Sequence, residues 1–580
     1  MKIGIVDTLA AAAAVLVMST FALPALAVEV PVGTATTPAP LEEMNVTAVV
    51  SDVHGLTEKA AAFARNVMPN VTGEQVRAML GNFVGDPSLD GMKPGAGAVL
   101  LLPPRGGMVL FLEVSPDKID SYEKVFKGPA MNVEKTEGML MVSERTVTLA
   151  DAKALASIVK KSLLGSAGKP DFNIDIRLAR LLTEYDAKIT SGMAMMEQAL
   201  SEPTEMATKG QDPKAMARML RAEVKLGVKL GKNVDHLRVN IAPSAEALDV
   251  TYNISGPNLR PAGASASASS TGTAVTAARK LPMKGAMRMS GDINMKALYA
   301  DASERIPEFV RDLGGSAAQA EAARDLGLSW SKIAGRVIAA DYLTPDTSPT
   351  ASSFLVEVTD EDAALAWFEA FPARMKAMGL SELAMSSMKI EEITFAKNVR
   401  TVAGTPIHKL VMKYGGLTDD QLKFITAMYG PNGMEMEVAI VNKMVIYTMG
   451  DAKIEELIAA VRSGKAEGSQ PLEAEKLGSG AMALLDINVA DMMKVVFQMV
   501  SSTLSDKDRG AVESIFKGVK AAPPITSAIY READGYRIHW RIPGKLVSVL
   551  AESAREAMMR QPGVAPTQNA PVSPDGSKSN

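Results

Sequence analysis

The sequence predicts an α+β protein made of two tandem related units, each a mainly antiparallel sheet with amphipathic helices packed on one face. Three observations carry this reading. Similar strand-then-helix segments occur in the same order in both halves of the 580-residue chain. Period-two apolar runs, the mark of a strand with one buried face, bracket turn residues as hairpins do. Helical stripes of apolar residues lie between them, as expected for helices covering antiparallel rather than doubly wound parallel sheets.

Taken in order, "VVSDVHGLTEKAAAFA" passes through Asp52 into a helical pattern, and "RMSGDINMKALYADAS" does so through Asp292. "FLEVSPDKIDSYEKVF" answers to "FLVEVTDEDAALAWFEAF", with Ser115 and Thr359 placed to cap a following helix and Pro116 at its first position. "LADAKALASIV" answers to "MGDAKIEELIAAV", with Asp151 and Asp451 as caps and Ile454, Leu457, Ile458 and Val461 as a stripe. In the best-matched pair, Leu182, Tyr185, Ile189 and Met193 recur at the same spacing as Met493, Val496, Val500 and Leu504, one helical face each. Each unit closes on an alternating strand, Leu248, Val250, Tyr252 and Ile254 in one and Tyr536, Ile538, Trp540 and Ile542 in the other.

These matches place a first unit at 44–257 and a second at 283–559. The second is longer because two hairpins, turning at Ala403-Gly404 and Asn442-Lys443, widen its sheet. Residues 258–282, rich in Ala, Ser and Thr, read as a connector with helical potential from Ala274 to Arg279. Residues 28–43 read as a disordered spacer and 560–580 as a disordered tail.

Residues 1–27 have the pattern of a secretory signal peptide: Lys2, an apolar run from Leu9 to Leu23, and Ala25-Leu26-Ala27 before a cleavage at Val28. Retention as an anchor is the alternative, although the run is short for a span and no later run is long enough. The expected location is periplasmic or secreted. No cysteine is present, so disulfides and thiolate chemistry are excluded. With 47% apolar residues, stability comes from burial in ordinary cores. A net charge of −4 with interspersed signs speaks against nucleic acid as a partner. The basic stretch from Lys214 to Lys232 reads first as a solvated helix face and second as a lipid-headgroup or partner surface.

Local chemistry is sparse. His54, His236, His408 and His539 stand alone, without metal-pair spacing, and read as structural residues. "PGAGAV" at 94–99 is a tight turn rather than a phosphate loop, and no hydrolase or nucleotide signature occurs. Asp175 and Asp486 hold matching places in the two units, and each reads as an exposed strand position rather than half of an acid–base pair. Methionines cluster at 193–196 and 283–289, which suits adaptable apolar packing better than soft-metal binding. No catalytic, cofactor-binding or metal-binding residue is assigned, and no motif is specific enough to place the chain in a family.

The expectation is therefore an exported, non-catalytic binding or scaffolding protein whose partner is another protein or an apolar ligand. One alternative is a carrier holding a lipid acyl chain between the Leu182-to-Met193 face and its sheet. The other is an enzyme whose residues converge only in three dimensions.

Overall fold

The structure, a computed structural model, describes residues 40–104, 107–128, 131–144, 149–164, 171–201, 213–259, 275–282, 284–344, 350–379, 389–450, 452–467, 470–501 and 520–559. The expected signal peptide, the terminal tail and residues 260–274 of the expected connector lie outside them. At the other end of that connector, Ala277, Ala278 and Leu281 are buried in a core.

The protein is mixed α+β, with fourteen α-helices among the described residues around one large antiparallel sheet. Its strands are β1 (Val46–Val50), β2 (Ala98–Leu102), β3 (Val109–Leu112), β4 (Met131–Thr136), β5 (Met139–Glu144), β6 (Phe172–Ile176), β7 (His236–Pro243), β8 (Ala247–Ser255) and β9 (Met287–Asp292). They continue as β10 (Ala334–Tyr342), β11 (Ser352–Val358), β12 (Lys389–Val402), β13 (Thr405–Gly415), β14 (Met434–Val441), β15 (Met444–Met449), β16 (Ala481–Ile487), β17 (Ile525–Glu532) and β18 (Gly535–Pro543). Followed from neighbour to neighbour, the sheet runs β4, β5, β3, β2, β1, β6, β7, β8, then β18, β17, β16, β9, β10, β11, β15, β14, β13, β12. Every pairing is antiparallel.

The sequence reading expected two sheets, and the described strands form one. The reason lies in β8 and β18, whose matching alternation makes them complementary. Leu248 faces Ile542, Val250 faces Trp540, Tyr252 faces Ile538 and Ile254 faces Tyr536, so two apolar edges satisfy each other's backbone groups and side chains at once. Of the two expected hairpins, β14–β15 turns at Asn442 (φ 51°) and Lys443 (φ 57°), and β12–β13 turns at Ala403 (φ 46°) and Gly404 (φ 77°), the left-handed pairs of tight hairpins. The β12–β13 pair lies at the far edge, where β12 carries Glu391, Glu392, Lys397 and Arg400 along an exposed strand. Edge charge of that kind discourages pairing with other chains.

The helices occupy both faces, not one. In the second half, Leu355, Ala439 and Ile446 pack beneath the helix Ile454–Ser463, whose Ile454, Leu457, Ile458 and Val461 form the expected buried stripe. On the opposite face, Val356, Val438 and Val445 pack beneath the helices Met295–Asp312, Ala317–Ser331 and Glu361–Met378. The first half is covered likewise, with Phe111 and Met141 in one core and Leu112, Leu140 and Val142 in the other. Runs such as Ser352–Val358 look only partly alternating because both sides of these strands are buried.

Helix starts shift by one to three residues from the expected caps. Asp52 does cap its helix, accepting from the Gly55 N–H at 2.9 Å. In the second half Asn294 does so, accepting from Ala297 N at 3.1 Å, while Asp292 pairs with Arg336 at 2.8 Å. Asp360, not Thr359, caps the helix Glu361–Met378, and Thr359 donates to Ile333 O at 3.2 Å. Ser115 donates to Gly91 O, Pro116 lies in a turn, and the helix begins at Ile119. Asp151 falls inside the helix Leu149–Ile158, and Asp451 lies outside the described residues. At Asp292 and Thr359 a neighbouring polar side chain, Asn294 or Asp360, takes the cap instead, and spacing alone does not choose between them.

Candidate functional site

The two faces of the sheet around the β8–β18 seam differ in kind. One is polar and charged. Asp341 on β10 lies opposite Arg288 on β9, which lies opposite Asp486 on β16; Asp486 faces Thr526, Thr526 faces Arg541, and Arg541 faces Asp249 on β8. A second row joins Asp175, Arg238, Asn253, Arg537 and Tyr530, with the Arg537 guanidinium 3.9 Å from the Tyr530 ring centre.

These charges are matched within the protein. Asp175 accepts from His236 at 2.8 Å and Arg238 at 3.0 Å; Asp249 accepts from His539 at 3.0 Å and Arg541 at 3.2 Å. Burial pushes the Asp175 carboxyl up, but hydrogen bonds from His236 and Arg238 bring it net below the usual carboxylate range.

Asp486 departs from its expected exposure. It is fully buried, accepts from the backbone N–H groups of Glu473 at 2.7 Å and Ala474 at 2.9 Å, and pairs with Arg288 at 2.8 Å. It fastens the short helical turn Glu473–Leu477 to the sheet, and burial raises its pKa despite these partners. Five strand spacings, about 24 Å across the sheet, separate β6 from β16, and Asp175 and Asp486 also lie in different rows, so they share no reaction centre.

The opposite face of the seam is apolar. One continuous lateral row runs from Tyr447 through Phe354, Ala340, Met289, Leu485, Ser527, Trp540, Val250 and Ile241 to Phe172, crossing the seam. At the wings of this same face the side chains are sealed: Leu140, Val142 and Val445 are 0% exposed. Around the seam Met289, Leu485, Trp540, Val250, Ile241 and Phe172 stay partly exposed, while Ser527 within the row and Ile538 and Ile254 beside it are buried. From β9 to β6 this incompletely covered stretch spans about 29 Å.

At one end of the row, where it meets the second-half core, three tyrosines lie partly exposed. Phe354 stacks on Tyr447 at 4.4 Å and meets Tyr342 edge-on at 4.6 Å, while Tyr299 of the helix Met295–Asp312 lies edge-on to Trp330 at 6.4 Å. Burial raises the pKa of all three phenols, and each of Tyr342 and Tyr447 is raised further by neighbouring tyrosines of the trio. No hydrogen bond reaches their hydroxyls from any described residue. Elsewhere the same group is partnered, Tyr122 with Asp86 and Tyr530 with Leu477 O, both at 2.9 Å.

Other candidates dissolve on inspection. Lys225 of the basic helix Pro213–Gly231 pairs with Asp312 at 2.8 Å and Lys229 with Glu308, and Lys232 just past its end pairs with Asp186 at 2.7 Å. The basic stretch therefore joins two helices across the halves, leaving between them a cavity of about 20 Å³, room for one water. The Leu182-to-Met193 face does not roof a sheet cavity: a Cβ at Gly231 would lie 2.5 Å from Leu182, so the stripe meets that same helix. Its partner stripe is offset, since in the helix Val489–Ser501 Val495 is buried and Val496 is 47% exposed; the Val500 side chain and Leu504 lie outside what is described.

The histidines are held structurally. His54 bonds the carbonyls of Leu89 and Met92 at 3.2 and 2.6 Å, and buried His408 stacks on Phe395 with Nδ1 accepting from Asn398 N at 3.3 Å. Among the described residues no cluster of three or more His, Asp and Glu could hold a metal ion, and no helix is long and apolar enough to cross a membrane. Met287 and Met289 face the apolar row, Met195 is 64% exposed, and Met283 lies outside the described residues.

The protein is thus a mixed α+β molecule organised on one antiparallel sheet, polar on one side of its central seam and apolar on the other. No family model, curated protein or solved structure matches the chain.

Proposed function

We propose that this is an exported, non-catalytic binding protein, built from two related α+β units, that holds an apolar ligand on the apolar face of the strand seam between them. The observation that carries the binding reading is the row from Met289 to Phe172, whose large apolar side chains stay partly exposed while their neighbours at both wings are sealed. Filled cores normally exclude water at the centre of a sheet more completely than at its margins. Here six large apolar side chains near the centre stay partly exposed beside the buried Ser527 and Ile538, and a run of partly exposed apolar side chains is a feature of binding faces.

Two related units are supported by the pairing order. Strands β4, β5, β3, β2, β1, β6, β7, β8 approach the seam in the order that β14, β15, β11, β10, β9, β16, β17, β18 follow from the other side. Asp175 and Asp486 occupy matching places in it, facing Thr47 and Arg288 respectively. Export is supported by Lys2, the apolar run to Leu23 and the Ala25-Leu26-Ala27 site.

Native mass spectrometry of the protein from its own host's envelope, with organic extraction of what it carries, tests the reading. A polypeptide beginning at Val28 with a stoichiometric apolar molecule is expected. A chain that begins at Met1 removes cleavage at Val28 in favour of a retained anchor, and a ligand-free mass removes the carrier role in favour of a scaffold.

A further inference from the structure

Resting on the binding reading above, we infer that the helices Asp186–Ser201 and Pro213–Gly231 form a hinged arm on the apolar side of the seam, latched by ion pairs to the helix Met295–Asp312, whose opening admits the ligand. The root of the arm stands on that face. Leu178, the first residue of the helix Leu178–Glu184, packs with Leu237, Tyr252, Ile538 and Trp540 of the seam strands. A Cβ at Gly231, where the basic helix ends, would lie 2.5 Å from Leu182 and 3.5 Å from Leu178, so the arm seats on the residues that cover the seam. There Lys232 and Asp186 pair at 2.7 Å, tying the end of one arm helix to the start of the other. At its far side the arm meets the helix Met295–Asp312, which packs on Ile338 and Val356 of the same sheet face. It therefore bridges the strands between, which carry Trp540, Leu485 and Met289.

Beyond its root the arm is thinly anchored. None of the described side chains from Asp186 to Ser201 is buried, and in the basic helix burial is confined to Ala217, Ala222 and Gly231. Elements that bury so little apolar surface open locally far more readily than the sheet beneath them. What holds the far side is charge. Lys225 pairs with Asp312 at 2.8 Å and Lys229 with Glu308, and the Arg218 side chain comes within 3.7 Å of where a Cβ of Gly314 would stand. The space between the two helices is not filled, since the water-sized cavity lies there with Leu226 and Phe309 on its walls. A joint of exposed ion pairs over a gap parts without breaking a packed core, whereas the sealed wings of the sheet do not.

The test follows entry and release of the apolar fluorophore N-phenyl-1-naphthylamine by stopped flow with the full-length protein. In the double variant Lys225→Glu/Lys229→Glu both pairs become repulsive. Entry and release should each quicken about five-fold with the equilibrium affinity unchanged, because the pairs set how often the arm is open and not what the ligand touches. Adding Glu308→Lys/Asp312→Lys should restore the wild-type rates. Raising salt from about 0.01 M to about 1 M should quicken exchange in the wild-type protein, where it screens attraction, and slow it in the double variant, where it screens repulsion. Amide hydrogen exchange should rise along 213–231 in the double variant and stay unchanged in β8 and β18. Rates that the double variant leaves unchanged, that charge reversal fails to restore or that salt moves alike in both proteins would each overturn the latch. So would amide exchange that rises equally in the strands, since the whole fold would then have loosened. A wild-type protein that does not bind the fluorophore instead overturns the apolar-face reading, and the arm's role in admitting ligand goes with it.

Discussion

Asp175 and Asp486 both lie on the polar face, yet their surroundings set them to opposite tasks. Asp175, part-exposed beside His236 and Arg238, has its pKa lowered on folding, so its contribution to stability is complete above the unfolded value near about 3.9 and is lost as pH falls through the folded value. Asp486 runs the other way: burial raises its pKa, so its contribution is greatest below the unfolded value and declines as pH rises through the folded one. For Asp175→Asn we expect a urea midpoint below wild type at pH 7, with the gap closing as pH drops below about 4. A gap that does not change with pH would mean that His236 and Arg238 do not act on the charge. That both carboxylates lie on strands was legible in the sequence. The burial of Asp486 was not, because its partners Glu473 and Ala474 sit in a turn whose docking no periodicity announces.

Strands were easier to read than helices. The alternation in β8 and β18 and the turns at Ala403-Gly404 and Asn442-Lys443 depend on neighbouring residues alone, and they appear where the sequence puts them. Helix faces depend on what lies opposite. Spacing copied from Leu182 and Tyr185 places Val496 on the inner face, but the helix Val489–Ser501 turns Val495 inward instead. Val495→Ala is expected to cost about 2 kcal/mol by chemical denaturation, from lost burial and the space left behind. Val496→Ala should stay within about 0.5 kcal/mol. Equal losses at the two sites would return the inner face to the sequence-derived stripe. The tyrosine trio was invisible for a related reason: its members lie far apart in the chain, and aromatic residues at 5% overall are gathered by the fold rather than by any local run.

Across the whole molecule, the seam makes two halves answer to one another. Nine register pairs join β8 to β18, and ion pairs of Lys225 with Asp312 and Lys229 with Glu308 bind a first-half helix to a second-half one. We expect a single cooperative unfolding transition by calorimetry, with calorimetric and van't Hoff enthalpies equal, and Ile538→Pro, which removes an interior ladder donor, should split it in two. Two transitions in the wild-type protein would show that the halves are thermodynamically separate. The seam also imposes a timetable on synthesis. Asp249 of β8 meets His539 of β18 across 290 residues of chain, so for about half of the time the polypeptide is being made the first half carries an open strand edge studded with Leu248, Val250, Tyr252 and Ile254. That edge is a template for any unpaired strand nearby, whether of its own chain or of a neighbour emerging beside it. Whatever receives the nascent chain has to shield this one strand until nearly the last of the protein arrives.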